Sequence, residues 1–213
     1  MKPTLQARLV TVSAVAGVVG PILFAIILIV LGYFWTGYNH LIQAISELGA
    51  TNAPNMSIQA LNFIILGILT VIFAVGLTLQ DRRFRSTAVL VGMYGLGASL
   101  AAFLPCDPGC PATGTSIVQV AHNLDALVSF IGLAVAPLLF WRSGKTLLSW
   151  TKTAVWSLRV ASASIPLLGA YLVIEVFSLS PYTGLLQRIF LGLLFAWMIM
   201  IAYKTVKLAG SPV

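Results

Sequence analysis

The sequence predicts an all-α polytopic membrane protein, in which residues 1–213 form a single domain built as a six-transmembrane-helix bundle. Its composition is 59% hydrophobic and only 8% charged, whereas a soluble domain carries about 25% charged residues. Six apolar stretches each approach the ~20 residues that a helix needs to cross ~30 Å of hydrocarbon. The gaps between these stretches are too short to fold independently, so no soluble domain is expected.

The first apolar stretch follows two basic residues, as in a signal peptide. Its apolar run is longer than the ~7–15 residues of a signal-peptide core, and no small-residue cleavage site follows it. All six stretches are continuous and lack the alternation of a barrel strand, so we expect each to be a helix. The predicted spans are residues 10–35, 58–79, 87–104, 118–141, 154–177 and 185–203.

Basic residues divide the gaps into two sets. When the gaps are assigned alternately to the inside and the outside, all but Arg188 of the 12 lysines and arginines fall on one side. Lysine and arginine concentrate in cytoplasmic loops, so we expect a multi-pass protein of the cell membrane with both termini in the cytoplasm. The net charge of +7 then reflects topology and contact with anionic lipid headgroups, and no nucleic-acid partner is expected. In chain order, the basic residues on the cytoplasmic side are Lys2, Arg8, Arg82, Arg83, Arg85, Arg142, Lys145, Lys152, Arg159, Lys204 and Lys207.

Two outer loops have distinct patterns. The loop of residues 36–57 has apolar residues at helical spacing up to Gly49, which predicts a short interfacial helix. The next outer loop contains Cys106 and Cys110, the only cysteines of the chain. Two cysteines on the oxidising face favour a disulfide, with free thiols or metal ligands as the alternatives. Prolines and glycines around them predict a structured turn that holds Asp107 at its tip.

Polar residues form stripes along three of the predicted helices at ~100° per residue. Lipid does not solvate amides or carboxylates, so these stripes should face one another or a wet cavity near the outer side. We therefore predict an outward-facing polar pocket, with His122 and Asp125 as candidate catalytic residues. The candidate binding residues are Glu47, Asn55, Gln59, Asn62, Asp107, Glu175 and Arg188.

Several interpretations of this polar cluster remain open. His122 could bond to Asp125 and Glu175 to Arg188 in a packing network. The pocket could instead bind membrane lipid or another small amphiphile, with the amides and Arg188 engaging the headgroup. A membrane-embedded hydrolase or transferase could use His122 as a general base oriented by Asp125, and a proton-coupled carrier could use Asp125 and Glu175. No cofactor motif is recognised. Metal ligands are possible at His122 and Asp125, although no His-x-x-x-His pair is present.

Two segments resemble a known family. The segment Ile45-Ser46-Glu47-Leu48-Gly49-Ala50, with the later Asn62-Phe63, is similar to the first motif of the membrane family called domain of unknown function 998. The segment from Phe103 to Pro111, followed by His122-Asn123, resembles the second motif of that family. The architecture is more distantly similar to the Frag1/DRAM/Sfk1 group of six-span proteins. The resemblance implies six helices, and it carries no established catalytic residues to this chain.

Overall fold

The computed structural model describes residues 4–113 and 116–209, which form an all-α structure. Five of the six helices in these residues are long and apolar enough to cross a membrane. The exception is α3, whose 17 residues extend over about 26 Å at 1.5 Å per residue. The helices are α1 (Leu5–Phe34), α2 (Met56–Gln80), α3 (Arg85–Ala101), α4 (Ile117–Gly144), α5 (Thr151–Phe177) and α6 (Thr183–Ala209).

The helix bounds differ from the predicted spans mainly at the ends of the chain and at α3. The first helix begins at Leu5, because the Thr4 hydroxyl accepts a hydrogen bond from the Ala7 amide at 3.2 Å and caps it. The third ends at Ala101 instead of at residue 104. The residue before a proline is disfavoured in the helical conformation, and Leu104, which precedes Pro105, is outside the helix.

Each helix packs against its neighbours in the chain, and α6 closes the ring against α1. Neighbouring helices run antiparallel: the side-chain amide of Gln6, near the start of α1, donates to the Leu79 carbonyl near the end of α2 at 2.9 Å. All loops between an odd-numbered helix and the next even-numbered one therefore meet at one end of the ring, which we call the disulfide end. The other end, which we call the terminal end, holds the start of α1, the end of α6 and the α2–α3 and α4–α5 connections.

An aromatic cluster closes the terminal end of the ring. Phe84 stacks on Phe140 with ring centroids 4.5 Å apart, and Trp150 packs on Phe84 at 5.3 Å. Trp150 is buried in this cluster, with its side chain only 2% exposed. Trp156, further along α5, is 54% exposed.

The predicted interfacial helix of the first outer loop is reduced to a single 3-10 helix, Ser46–Gly49. The Glu47 carboxylate accepts from the Ala44 amide at 2.8 Å and from the Gln43 side-chain amide at 3.0 Å. These bonds hold the residues before the short helix in a turn. The loop folds as turns over the disulfide end, and Ile45 and Leu48 are buried beneath it.

Candidate functional site

A cavity of about 240 Å³ lies inside the ring at the disulfide end. Helices α1 to α6 all contribute to its wall, and the loop around Ala44 covers it. Most of the lining is apolar, including the rings of Phe24, Phe63 and Phe130. Its polar lining residues are Ser46, Tyr94, His122, Asn123, Asp125, Ser129, Tyr171, Glu175 and Gln187.

Three of the predicted site residues line this cavity, namely His122, Asp125 and Glu175. Their helices reach the disulfide end from opposite directions: α4 begins there and α5 ends there. The other candidate binding residues are not part of the cavity wall.

His122 bonds to the backbone, and no bond to Asp125 is found. Its Nδ1 lies 2.7 Å from the carbonyl oxygen of Leu104, at the end of the α3 segment. A carbonyl only accepts hydrogen bonds, so Nδ1 carries a hydrogen and Nε2 of the neutral ring is an acceptor. The postulated His122–Asp125 pair is therefore not formed, and Asp125 does not orient the imidazole.

Asp125 and Glu175 have few partners among the described residues. Asp125 makes no hydrogen bond or ion pair with any of them and borders Gly97 and the cavity. Oxygen Oε2 of Glu175 is buried without a hydrogen-bond partner, although Thr183 interacts with the same carboxyl group. Both side chains thus leave acceptor atoms available at the cavity.

Arg188 holds the outer loop in place and does not pair with Glu175 as postulated. Its guanidinium donates to the Gln43 carbonyl at 2.7 Å, to the Gly184 carbonyl at 2.9 Å and to the Tyr38 hydroxyl at 2.6 Å. Tyr38 in turn donates to the Ala44 carbonyl at 2.9 Å. Burial raises the pKa of Tyr38 to about 12 despite the neighbouring Arg188, so the phenol stays neutral and keeps donating.

The predicted α2 stripe faces a different neighbour. Asn62 donates to the Phe24 carbonyl of α1 and to the Gln59 side chain, both at 3.3 Å. The Gln59 nitrogen Nε2 and the Asn62 oxygen Oδ1 are buried without partners in the described part of the chain. Asn55 precedes α2 and makes no side-chain capping bond. These amides lie between α1 and α2, outside the cavity wall.

The predicted disulfide joins Cys106 and Cys110. The turn between them is closed by a hydrogen bond from the Cys110 amide to the Asp107 carbonyl at 2.8 Å, and Gly109 has a positive φ of 79°. Asp107 faces the start of α4: its amide donates to the Gln119 side chain at 2.7 Å, and its carboxylate accepts from Ser116. The turn nevertheless reaches the cavity through Cys110.

Gln187 and Tyr94 are among the polar cavity residues that the sequence reasoning missed. Gln187 is 5% exposed, and its Oε1 accepts from the Ile45 amide at 2.6 Å, which ties α6 to the covering loop. An amide inside the apolar run of α6 was the available signal. Tyr94 lies in a glycine-rich helix and gave no comparable signal.

The described residues contain no group of three histidine, cysteine, aspartate or glutamate side chains placed to hold a metal ion. His122 and Asp125 line the same cavity, but the third ligand that a zinc site needs is not among their neighbours in these residues. The cavity offers hydrogen-bond acceptors and an apolar wall that can enclose an apolar group.

The long apolar helices define a membrane-embedded protein in contact with lipid. The chain belongs to the family described as protein of unknown function (DUF998), which matches residues 18–204. No curated protein and no solved structure matches the chain. The more distant similarity to the Frag1/DRAM/Sfk1 group therefore stays a prediction.

Proposed function

We propose that this protein binds a lipid or another small amphiphile in the cavity at the disulfide end. The observation that carries the proposal is the cavity itself, about 240 Å³ with a mainly apolar wall and a few polar atoms without partners. Ligand sites commonly combine apolar walls with a few polar groups in volumes of ~300–1,000 Å³. The smaller volume here favours one chain or a small headgroup over a whole two-chain lipid.

The enzyme alternative has less support from the geometry. A general base oriented by Asp125 requires a hydrogen bond between the carboxylate and the His122 ring, and Nδ1 is bonded to the Leu104 carbonyl. A carrier would need polar groups continuing towards the terminal end. There, Trp197 donates to the Ser157 hydroxyl at 2.9 Å, and the neighbouring side chains are those of the aromatic cluster.

Photolabelling tests the binding proposal. We expect a dodecyl diazirine, added to the protein in lipid nanodiscs, to form adducts with cavity residues of α4 and α5. Ala126→Phe, on the cavity wall, should reduce these adducts several-fold because the added ring fills the space. Ala25→Phe adds the same ring on an exposed face of α1 and should leave them unchanged. Adducts confined to lipid-facing positions in all three proteins would refute the proposal.

We propose further that α3 also crosses the membrane and that both termini are cytoplasmic. The concentration of basic residues near the terminal end, with Arg188 as the exception, supports this orientation. In intact cells, an impermeant maleimide should label Asn52→Cys, on an exposed loop of the disulfide end, and should not label Lys145→Cys at the terminal end. The native cysteines are joined in the disulfide and should not react. The reverse labelling pattern would contradict the orientation.

A further inference from the structure

We infer that the cavity selects an amphiphile with a protonated amine headgroup. The inference rests on the proposed function, because it requires that an amphiphile enters the cavity. It differs from the expectation raised by the sequence, in which Arg188 and the α2 amides would bind the headgroup. Neither Arg188 nor these amides line the cavity.

The charge of the cavity wall is the first reason. Two carboxyl groups, those of Asp125 and Glu175, line it, and no lysine or arginine of the described chain does. The guanidinium of Arg188 is engaged with three oxygen atoms of the loop and α6. A carboxylate removed from water is costly unless a cation or hydrogen-bond donors accompany it. A bound ammonium group would supply that partner, whereas a phosphate or carboxylate headgroup would add like charge.

The balance of donors and acceptors is the second reason. Acceptor atoms without partners in the described residues are Oε2 of Glu175, the Asp125 oxygens and, with Nδ1 bonded to Leu104, Nε2 of neutral His122. An ammonium group carries three donors and no acceptor, which matches this set. The side-chain NH₂ of Gln187 is a donor at the wall, since only its Oε1 is bonded.

Two buried tyrosine side chains at the wall point independently to a ligand. Tyr94 is 4% exposed and Tyr171 is 7% exposed. Both line the cavity, and neither hydroxyl bonds to a described residue. Buried polar groups are normally hydrogen-bonded, and each of these hydroxyls can accept from an amine. The aromatic rings of the wall add cation–π attraction where a ring face meets the cation.

Competition between headgroups tests the inference. Dodecylamine, dodecanol and dodecanoate have the same chain length and differ in their headgroups. Each would compete with the dodecyl diazirine in nanodiscs of zwitterionic phosphatidylcholine. We expect dodecylamine to displace the diazirine from the cavity at a concentration at least about tenfold below that of dodecanol, and dodecanoate to be the weakest. Equal or better displacement by dodecanol or dodecanoate would overturn the inference and leave the binding proposal standing. Failure of the diazirine to label the cavity would instead refute the binding proposal.

Variants that neutralise the two cavity carboxylates distinguish binding of the amine headgroup from binding of the alkyl chain. In the double variant Asp125→Asn and Glu175→Gln, the preference for dodecylamine should fall to about that of dodecanol, while displacement by dodecanol persists. Asp81→Asn removes a carboxylate at the terminal end, where Asp81 pairs with Arg83 at 3.2 Å, and should keep the preference. An undiminished preference in the double variant, with labelling of the cavity retained, would show that other groups bind the amine and would overturn the assignment.

Discussion

Replacing Gly67 by alanine is expected to lower the thermal unfolding midpoint by about 4–8 °C. Gly67 of α2 lies against α3 so closely that an added Cβ would be 2.7 Å from the backbone nitrogen of Ser99 and would also meet the Gly95 carbonyl. Backbone atoms cannot turn aside as a flexible side chain does, so the helices must separate. Overpacking of this kind costs about 2 kcal/mol, and each kcal/mol shifts the midpoint by about 2–4 °C in a chain of this size.

Gly169→Ala is the matched control, because nothing lies within 4 Å of an added Cβ at that position of α5. Alanine favours a helix over glycine by up to about 1 kcal/mol, so this variant should unfold at the wild-type temperature or slightly above it. Thermal unfolding in one detergent, followed by tryptophan fluorescence, compares the three proteins. A Gly67→Ala midpoint equal to that of wild type would contradict the close approach of α2 and α3.

Replacing Arg188 by methionine is expected to destabilise the protein by about 3 kcal/mol and to loosen the loop that covers the cavity. The guanidinium bonds to Gln43 and Tyr38 of that loop, and hydrogen bonds to charged groups contribute about 1.5–3 kcal/mol each. Methionine retains much of the apolar stem and removes all of these donors. Limited proteolysis should then cut the loop around Gln43 faster, and the unfolding midpoint should fall.

Two further variants define what Arg188 contributes. Arg188→Lys keeps the charge but loses the planar fork of donors, so it should recover only part of the stability. Arg159→Met removes an exposed arginine that lies 4.8 Å from the Trp156 ring, which should cost below about 1 kcal/mol. If Arg188→Met and Arg159→Met had equal effects, the loop would not depend on the Arg188 contacts.

The helices could be predicted from sequence because lipid imposes a length and a polarity on every span. Local patterns do not identify the neighbour that a polar face meets. Projection placed the candidate residues His122 and Asp125 on one polar face of α4, and both line the cavity. The same projection on α2 gave a face that contacts α1, where Asn62 bonds to the Phe24 carbonyl.

The periodicity of the sequence could not predict which side chains and backbone groups form hydrogen bonds with each other. Opposite charges near the same end favoured a Glu175–Arg188 pair, but the guanidinium donates to the backbone carbonyls of Gln43 and Gly184 instead. Likewise, helical spacing favoured a His122–Asp125 pair, and the carbonyl of Leu104 takes the imidazole instead. In both cases the side chain bonds to a backbone carbonyl, which has no signature in the sequence, instead of to the expected carboxylate.

Native mass spectrometry of the protein purified in a mild detergent tests the central claim most directly. The account predicts that wild type and Ala25→Phe retain an added mass corresponding to one single-chain amphiphile, and that Ala126→Phe retains several-fold less. Retention of the same amphiphile by all three proteins, or its absence from wild type, would contradict a binding site in the cavity.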